Sequence, residues 1–371
     1  MIDNKNVCAN EELAVFRLRS LYRSCGYLPY KMSKFEEYDL YARNKHFLLS
    51  ENVITFTDTD GKLMALKPDV TLSIVKNTKD ARGEVQKVYY GENVYRVSKG
   101  THAFRELMQV GLECIGDVDD FCVCEVLSLA ADSLAEISED YVLDVSDLSL
   151  LGAVMDTLRV SEGAKAELLH CIGEKNVHGV REIARREGAD ETALEKLCTL
   201  IGYDLPLAAG ISALRADLPE YKAQFALLET LCRTLGVRAE KVHLDFSVVN
   251  DMSYYNGIVF KGFVNGVPAG VLSGGQYDGL MQKMGRAARA IGFGVYLDQL
   301  ERFGKAAPEF DTDAVLLYTD DCDVTALSTA AQVLRDAEQR VTVCQKMPEG
   351  LKYKKLYAFE NGEVKTLETH A

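Results

Sequence analysis

No run of roughly 18 apolar residues occurs in the chain, so no conventional membrane-spanning helix is expected. The opening Met1–Leu13 lacks a basic-then-apolar leader, which points to a cytoplasmic protein. Redox and metal motifs are also missing. The ten cysteines are scattered, and the nearest pair, Cys122 and Cys124, has the wrong spacing for a zinc knuckle or a Cys-x-x-Cys dithiol. They read as reduced, buried thiols. The six histidines never fall at metal-ligand spacing. GxxxxGK[ST], GxGxxG and HExxH do not occur, so a P-loop, a dinucleotide fingerprint and a zinc-protease helix are all excluded. Positive charge is scarce: 42 Lys and Arg stand against 56 Asp and Glu, a net charge of −14. Nucleic-acid affinity comes largely from neutralising phosphates, so neither tRNA nor DNA is an expected partner.

With 371 residues the chain exceeds one simple core, and two or three domains are expected. Asn10 reads as the cap of a first helix whose buried stripe is Leu18, Leu21, Tyr22 and Cys25 and whose stop is Gly26. Val53–Phe56 and Leu63–Leu66 flank a hairpin signal, "TDTDG". "LKPDVTLSIVKN" begins as a strand end and becomes a helix. Val85–Tyr90, Val94–Val97 and Phe104–Ile115 read as successive strands, and Asp119 or Asp120 caps the next helix. Between about residues 146 and 236 helical periodicity dominates. Strand character returns in "KVHLDFSVV", "NGIVFKGFV" and "VPAGVL"; "SGGQYDGLMQKMG" reads as a Gly-rich turn entering a helix. "AIGFGVYL" is a glycine-interrupted strand, and "LDQLERF" a helix. A boundary near residues 304–313 precedes a small α/β piece, residues 311–371, that ends in a hairpin at Asn361-Gly362. The expected architecture is α+β: a core over residues 1–303 with a mostly antiparallel sheet flanked by helices and a helical insertion, then the small C-terminal domain.

Chemistry concentrates on one strand. Arg105, Leu107, Gln109, Gly111 and Glu113 share one side; Met108, Val110, Leu112 and Cys114 share the other. The first side carries a guanidinium, an amide and a carboxylate in a row. It is either a solvent-facing strand with ordinary alternation or a pocket wall, in which Gly111 removes a side chain where a ligand would lie. In "NDMSYYNGIVF", Tyr254 and Tyr255 would point to opposite faces of a strand, so one of them lines a pocket or both are packed aromatics. In "SGGQYDGL", Gly274 and Gly275 allow close backbone approach and Tyr277 offers a phenol. "YTDDCDVTA", residues 318–326, lacks the glycines of a phosphoribosyl-diphosphate loop and reads as a strand end and helix cap.

Taken in order, these segments resemble the catalytic core of the histidyl-tRNA synthetases, a class II aminoacyl-tRNA synthetase fold, over about residues 10–303. The tail resembles a truncated anticodon-binding domain. "LKPDVT" looks like the strand end that receives the α-amino group of histidine, here Asp69 and Thr71. "VYRVSKGTHAFRELMQVGLECIG" resembles motif 2 and its continuation, with Arg96, Arg105, Gln109 and Glu113 in family positions. "DMSYYNGIVF" and "GGQYDGL" resemble the histidine signatures, contributing Tyr254 or Tyr255, and Tyr277. "AIGFGVYLDQL" resembles motif 3. The resemblance thus implies a histidine-binding set of Asp69, Thr71, Arg96, Arg105, Gln109, Glu113, Tyr254, Tyr255 and Tyr277.

The departures fall on the nucleotide side. The family's Arg-x-Glu of motif 2 is Arg96-Val97-Ser98 here, and the Glu-Arg that closes motif 3 is Asp298-Gln299. The arginine of the histidine signature is Asn250, and the proline that ends motif 1 is Ser33. Electrostatic clamps on a transferring phosphoryl group are each worth orders of magnitude in rate, so losing several removes adenylation rather than tuning it. A retained amino-acid side beside a dismantled ATP side is similar to a paralogous family, the regulatory subunits of ATP phosphoribosyltransferase. That resemblance implies no catalytic residue, no metal and no cofactor of its own. It also implies a dimer-forming core, a short catalytic subunit as partner, and histidine as feedback ligand in the first step of histidine biosynthesis. The rival expectations are a divergent histidyl-tRNA synthetase or other amino-acid-adenylating ligase, and a free-standing histidine sensor.

Overall fold

The computed structural model describes residues 10–45, 53–79, 83–98, 101–249, 255–300, 310–337 and 340–370. Two compact units emerge, Met1–Phe303 and Gly304–Ala371.

In the first unit, α1 (Asn10–Ser24) buries Leu18 and Tyr22. Asn10 stands in its first turn rather than before it, and Gly26, at φ 81°, turns the chain out of the helix. β1 (Leu28–Pro29) forms one edge of the main sheet. β2 (Phe35–Glu37), α2 (Tyr38–Arg43), β3 (Thr55–Thr57) and β4 (Leu63–Leu66) follow, and a small antiparallel sheet runs β2-β4-β3. The β3–β4 turn is closed by Asp58, whose Oδ1 accepts from the Asp60 and Lys62 amides at 2.9 and 2.8 Å. α3 (Thr71–Asn77) is short and mostly buried. β5 (Val85–Val97) and β6 (Phe104–Gly116) then make a long two-stranded ribbon. The expected break inside β5 does not occur, because Gly91 stays in the ladder opposite Val110.

α4 (Asp120–Ile137) starts at Asp119, whose carboxylate accepts the Cys122 amide at 2.9 Å and so caps the helix. β7 (Tyr141–Asp147) leads into the helical segment: α5 (Leu148–Thr157), α6 (Glu162–Gly173), α7 (Val177–Arg186), α8 (Glu191–Ile201), the two-residue β8 (Leu205–Pro206), α9 (Leu207–Asp217) and α10 (Ala226–Leu235). Their apolar stripes join the core under the sheet. β9 (Val242–Leu244) is shorter than the sequence pattern suggests. Asp245 accepts the Ser247 amide at 2.8 Å and turns the chain out of the strand. β10 (Ile258–Val264), β11 (Leu272–Gln276), α11 (Asp278–Lys283) and β12 (Arg289–Tyr296) complete the unit, followed by a short 3₁₀ turn at Leu297–Leu300.

Two expectations need correcting here. Ser273, Gly274 and Gly275 lie inside β11, not in a turn; the glycines are there because neighbouring strands and rings approach closely. A Cβ on Gly274 would stand 2.4 Å from the Gly292 carbonyl oxygen. Tyr255 precedes β10, so strand alternation does not set its direction, and Tyr254 and Asn250 lie outside the described residues.

The main sheet has nine strands in the order β1-β5-β6-β12-β11-β10-β7-β9-β8. Most neighbours are antiparallel; β1 with β5 and β7 with β9 are parallel. One face packs on α1, α4 and the helical segment. The other carries Tyr90, Val94 and Ile115 toward α3 and α11.

In the second unit, β13 (Thr312–Tyr318), α12 (Val324–Ala337), β14 (Val341–Cys344), β15 (Tyr353–Glu360) and β16 (Glu363–Thr369) form a sheet ordered β14-β13-β15-β16. α12 packs Leu327 and Ala331 onto Leu316 and Phe359. Asp323 caps α12 through the Thr325 amide at 2.8 Å, as the sequence suggests, and Asn361-Gly362 make the β15–β16 turn with positive φ at both residues.

Candidate functional site

The sheet register stacks three rungs on the face opposite the helical core. Val88, Glu113, Gly292 and Gly275 are aligned across β5, β6, β12 and β11. Tyr90, Gly111, Gly294 and Ser273 form the next rung, and Glu92, Gln109 and Tyr296 the third. Side chains of alternate residues share this face. The glycines are spaces into which the neighbouring polar groups fold. A Cβ on Gly292 would sit 1.8 Å from Glu113 Oε2, one on Gly294 2.1 Å from Gln109 Nε2, and one on Gly111 2.5 Å from the Tyr90 hydroxyl. Tyr255 occupies the space above Gly275 in the same way. Gly111 therefore does not leave room for a ligand, as the sequence reading expects; the Tyr90 phenol fills that room.

Glu113 is the centre of the arrangement and is 1% exposed. Thr71 Oγ1 donates to its Oε1 at 2.7 Å, and the Tyr277 hydroxyl donates to its Oε2 at 2.6 Å. α3 supplies Thr71 and the β11–α11 junction supplies Tyr277, so residues 42 and 164 positions away in the chain meet on one carboxyl group. Burial pushes Glu113 up to about 8, against the two hydroxyl donors, which favour the charged form.

Gln109, 7% exposed, donates from Nε2 to the Tyr90 hydroxyl at 3.1 Å. Its carbonyl Oε1 is buried and has no hydrogen-bond partner among the described residues. Asp69 is partly buried at the start of α3 and accepts the Leu72 amide at 2.9 Å. Burial raises its pKa, while that amide and the Arg96 guanidinium pull the other way. Arg96 Nε donates to the Pro68 carbonyl at 3.2 Å, so the guanidinium lies along the Pro68-Asp69 segment. The wall thus presents a carboxyl group, a second carboxyl group and a bare amide carbonyl, all acceptors suited to an ammonium or an imidazole N–H.

Of the residues singled out from sequence, Thr71, Glu113 and Tyr277 meet directly. Gln109 lies two rungs above Glu113 on the same face, Asp69 and Arg96 flank α3, and Tyr255 covers Gly275. Arg105 is not part of this group. It is exposed near the tip of the ribbon, eight positions from Glu113, roughly 26 Å at strand rise. Sequence reasoning also missed Tyr90, and Lys67, which is fully buried beside the wall and pairs with Glu92 Oε2 at 2.7 Å.

Of the positions where the resemblance implies a nucleotide-binding residue, Ser98 and Gln299 lie among the described residues. Ser98 closes the ribbon by donating its amide to the Ala103 carbonyl at 2.9 Å. Gln299 donates to its own neighbour, Asp298 Oδ2, at 2.8 Å. No helix among the described residues is long and apolar enough to cross a membrane, and no group of three or more His, Cys, Asp or Glu among them is placed to hold a metal ion.

Comparison with known proteins adds the family context. The family model for histidyl-tRNA synthetase matches residues 5–300. The chain is 24% identical over 340 residues to the ATP phosphoribosyltransferase regulatory subunit of Acetivibrio thermocellus, spanning 87% of this chain and 80% of that one. It is 27% identical over 296 residues to the regulatory subunit of Caldanaerobacter subterraneus, 76% of each. Among solved structures it resembles an ATP phosphoribosyltransferase regulatory subunit/histidyl-tRNA synthetase from Bacillus halodurans, with a TM-score of 0.71, 24% identity, and coverage of 90% of this chain and 88% of that one. It also resembles a chain of the ATP phosphoribosyl transferase (HisG:HisZ) complex from Thermotoga maritima, with a TM-score of 0.58, 18% identity, and coverage of 80% and 98%. Both likenesses establish the fold.

Proposed function

Because this chain belongs to the histidyl-tRNA synthetase family, we propose that it serves as the regulatory subunit of an ATP phosphoribosyltransferase, holding histidine on the wall around Glu113 while a separate short catalytic chain carries out the transfer. The catalytic chain transfers the phosphoribosyl group of phosphoribosyl diphosphate to ATP with release of pyrophosphate, and this chain performs no chemistry. The observation that carries the reading is the split between the two sides of the site. The buried acceptors Glu113 and Gln109 and the partly buried Asp69 are in place, whereas Ser98 and Gln299 stand where the resemblance requires a glutamate and an arginine, and the Gln299 side chain is engaged with its neighbour Asp298. The names of the similar curated proteins support the same reading.

The geometry suggests how histidine is held. Its N–H groups satisfy the Gln109 carbonyl and draw Glu113 into its charged form, with Tyr277 and Thr71 retaining their hydrogen bonds to that carboxylate. Arg96, whose guanidinium lies along the Pro68-Asp69 segment, is a cation available to a ligand carboxylate. Feedback then follows from linkage: histidine inhibits by binding the inhibited assembly more tightly than the active one. Self-association as a dimeric core completes the proposal, and the mass of the purified assembly checks it.

The decisive experiment mixes this chain with a short catalytic chain of the same organism and measures phosphoribosyl-ATP formation, with and without histidine. Activity that appears or rises severalfold on mixing and falls with histidine is the expected result. A catalytic chain fully active alone and unaffected by this one ends the proposal. Histidine-dependent pyrophosphate exchange by this chain would instead establish the ligase reading.

A further inference from the structure

We infer that Tyr90 is a positioning residue for ligand recognition, fixing the Gln109 amide so that its carbonyl faces the bound molecule and its NH2 group does not. The inference rests on the histidine-wall reading above and names a residue that reading does not require.

Tyr90 is 1% exposed and lies on the rung between Glu113 and Gln109. Its ring occupies room left by two missing side chains: a Cβ on Gly111 would lie 2.5 Å from the phenol oxygen, and one on Gly294 would lie 3.2 Å from it. The phenol is seated in that space. From that seat its oxygen accepts Gln109 Nε2 at 3.1 Å. Gly294 leaves room for the same amide, since a Cβ there would come within 2.1 Å of Nε2. With the NH2 end engaged, Oε1 is the end left buried without a partner among the described residues. A buried carbonyl in that state favours a ligand that brings an N–H and disfavours one that brings a second acceptor. With the Tyr90 oxygen accepting from Nε2, this point welcomes the N–H end of an amino acid. A phenylalanine would fill the same gap, so the hydroxyl separates positioning from packing.

The test is calorimetric binding to the intact chain of histidine and of imidazolepropionate, which lacks the amino group that the proposal sets against the Gln109 carbonyl as well as Asp69. The proteins are the wild type, Tyr90→Phe, Gln109→Met and the double variant. Tyr90→Phe is expected to weaken histidine about tenfold, the size of one hydrogen bond to a charged group. Imidazolepropionate is expected to change by less than about twofold. Gln109→Met should reproduce that selective loss, and adding Tyr90→Phe to it should change nothing further, because Tyr90 acts through Gln109. Equal weakening of both ligands, no weakening, additive losses in the double variant, or a Tyr90→Phe chain that does not fold would each overturn the inference. A wild-type chain that binds neither ligand would overturn the histidine-wall reading itself, a result distinct from all of these.

Discussion

Two glutamates on β6, seven positions apart, are treated in opposite ways. Glu113, at the base of the ribbon, is buried against Gly292, takes hydrogen bonds from Thr71 and Tyr277, and is held well above the usual carboxylate range. Glu106, near the tip, is exposed and accepts from Asn93 Nδ2 and the Tyr95 hydroxyl at 2.5 and 2.9 Å, and these donors hold it below that range. Both accept two side-chain hydrogen bonds. Water makes the difference: at the tip hydration adds to the donors, whereas at the base its removal outweighs them. A carboxyl group kept neutral at the base of a sheet is poised to ionise when a cationic ligand arrives, and one at the tip is not.

The sharpest way to break this comparison is pH. Glu113 has a folded-state pKa raised from an unfolded value near 4.5 to about 8. The folded chain therefore holds that proton more tightly than the unfolded chain. The associated stability is fully present below about pH 4.5 and is lost as pH rises through about 8, by on the order of 5 kcal/mol. Glu113→Gln has no such proton, so the stability difference between wild type and variant should shift in the variant's favour between pH 5 and pH 9. Denaturant unfolding at those two pH values measures it, and parallel behaviour of the two proteins would show that Glu113 is ordinary.

Ligand binding gives the next largest expected effect. Glu113→Gln should weaken histidine about 100-fold, since the charged partner is gone. It should also abolish the proton release expected when wild type binds near pH 7. Calorimetry in buffers of different ionisation enthalpy reads both quantities. Arg105→Ala at the tip should leave affinity within about twofold, although the resemblance places Arg105 in the same set.

That contrast also marks what could be read from the chain alone. Alternation along β6 puts Arg105, Gln109 and Glu113 on one face, and it does so correctly. Alternation carries no depth, so it cannot tell that the face goes from open water at Arg105 to full burial at Glu113. The glycines of "AIGFGVY" are visible as interruptions, but their purpose depends on register: Gly292 pairs with Glu113 and Gly294 with Gly111 across a non-local ladder. Tyr90 was missed for the same reason, since its significance lies in the missing side chain of Gly111 opposite it. Lys67 violates the rule that lysines stay wet, and its partner Glu92 is 25 residues away. Local signals, by contrast, transferred well: the cap at Asp119, the cap at Asp323, the Asn361-Gly362 turn and the Asp58 hairpin all depend on nearest neighbours.

Smaller still should be the cost of filling one of those glycine spaces. Gly292→Ala places a methyl group against Glu113 and the Leu112 carbonyl, 2.5 Å from the latter. The carboxyl group can swing aside but the ladder carbonyl cannot, so a loss of about 1–3 kcal/mol is expected. Gly279→Ala in α11, where a Cβ meets nothing within 4 Å, is the control and should be neutral or stabilising by up to about 1 kcal/mol. Equal effects of the two substitutions would mean that the base of the ribbon is looser than its register implies.

The smallest expected effect returns to the tip and runs in the opposite direction with pH. The pKa of Glu106 is lowered on folding by its Asn93 and Tyr95 donors. Its contribution to stability is present above the unfolded carboxylate pKa and disappears as pH falls through the lower folded value. Because the group is exposed, solvent screens most of that contribution, and Glu106→Gln should lower the melting midpoint at pH 7 by less than about 2 °C. At pH 3 the difference should be smaller still, whereas the gap between wild type and Glu113→Gln widens toward high pH. Two carboxyl groups on one strand would then report their surroundings as opposite slopes. A Glu106→Gln variant with a large, pH-rising effect would mean that the tip is covered in solution, as by a partner subunit, and that the contrast with the base is one of occupancy rather than of fold.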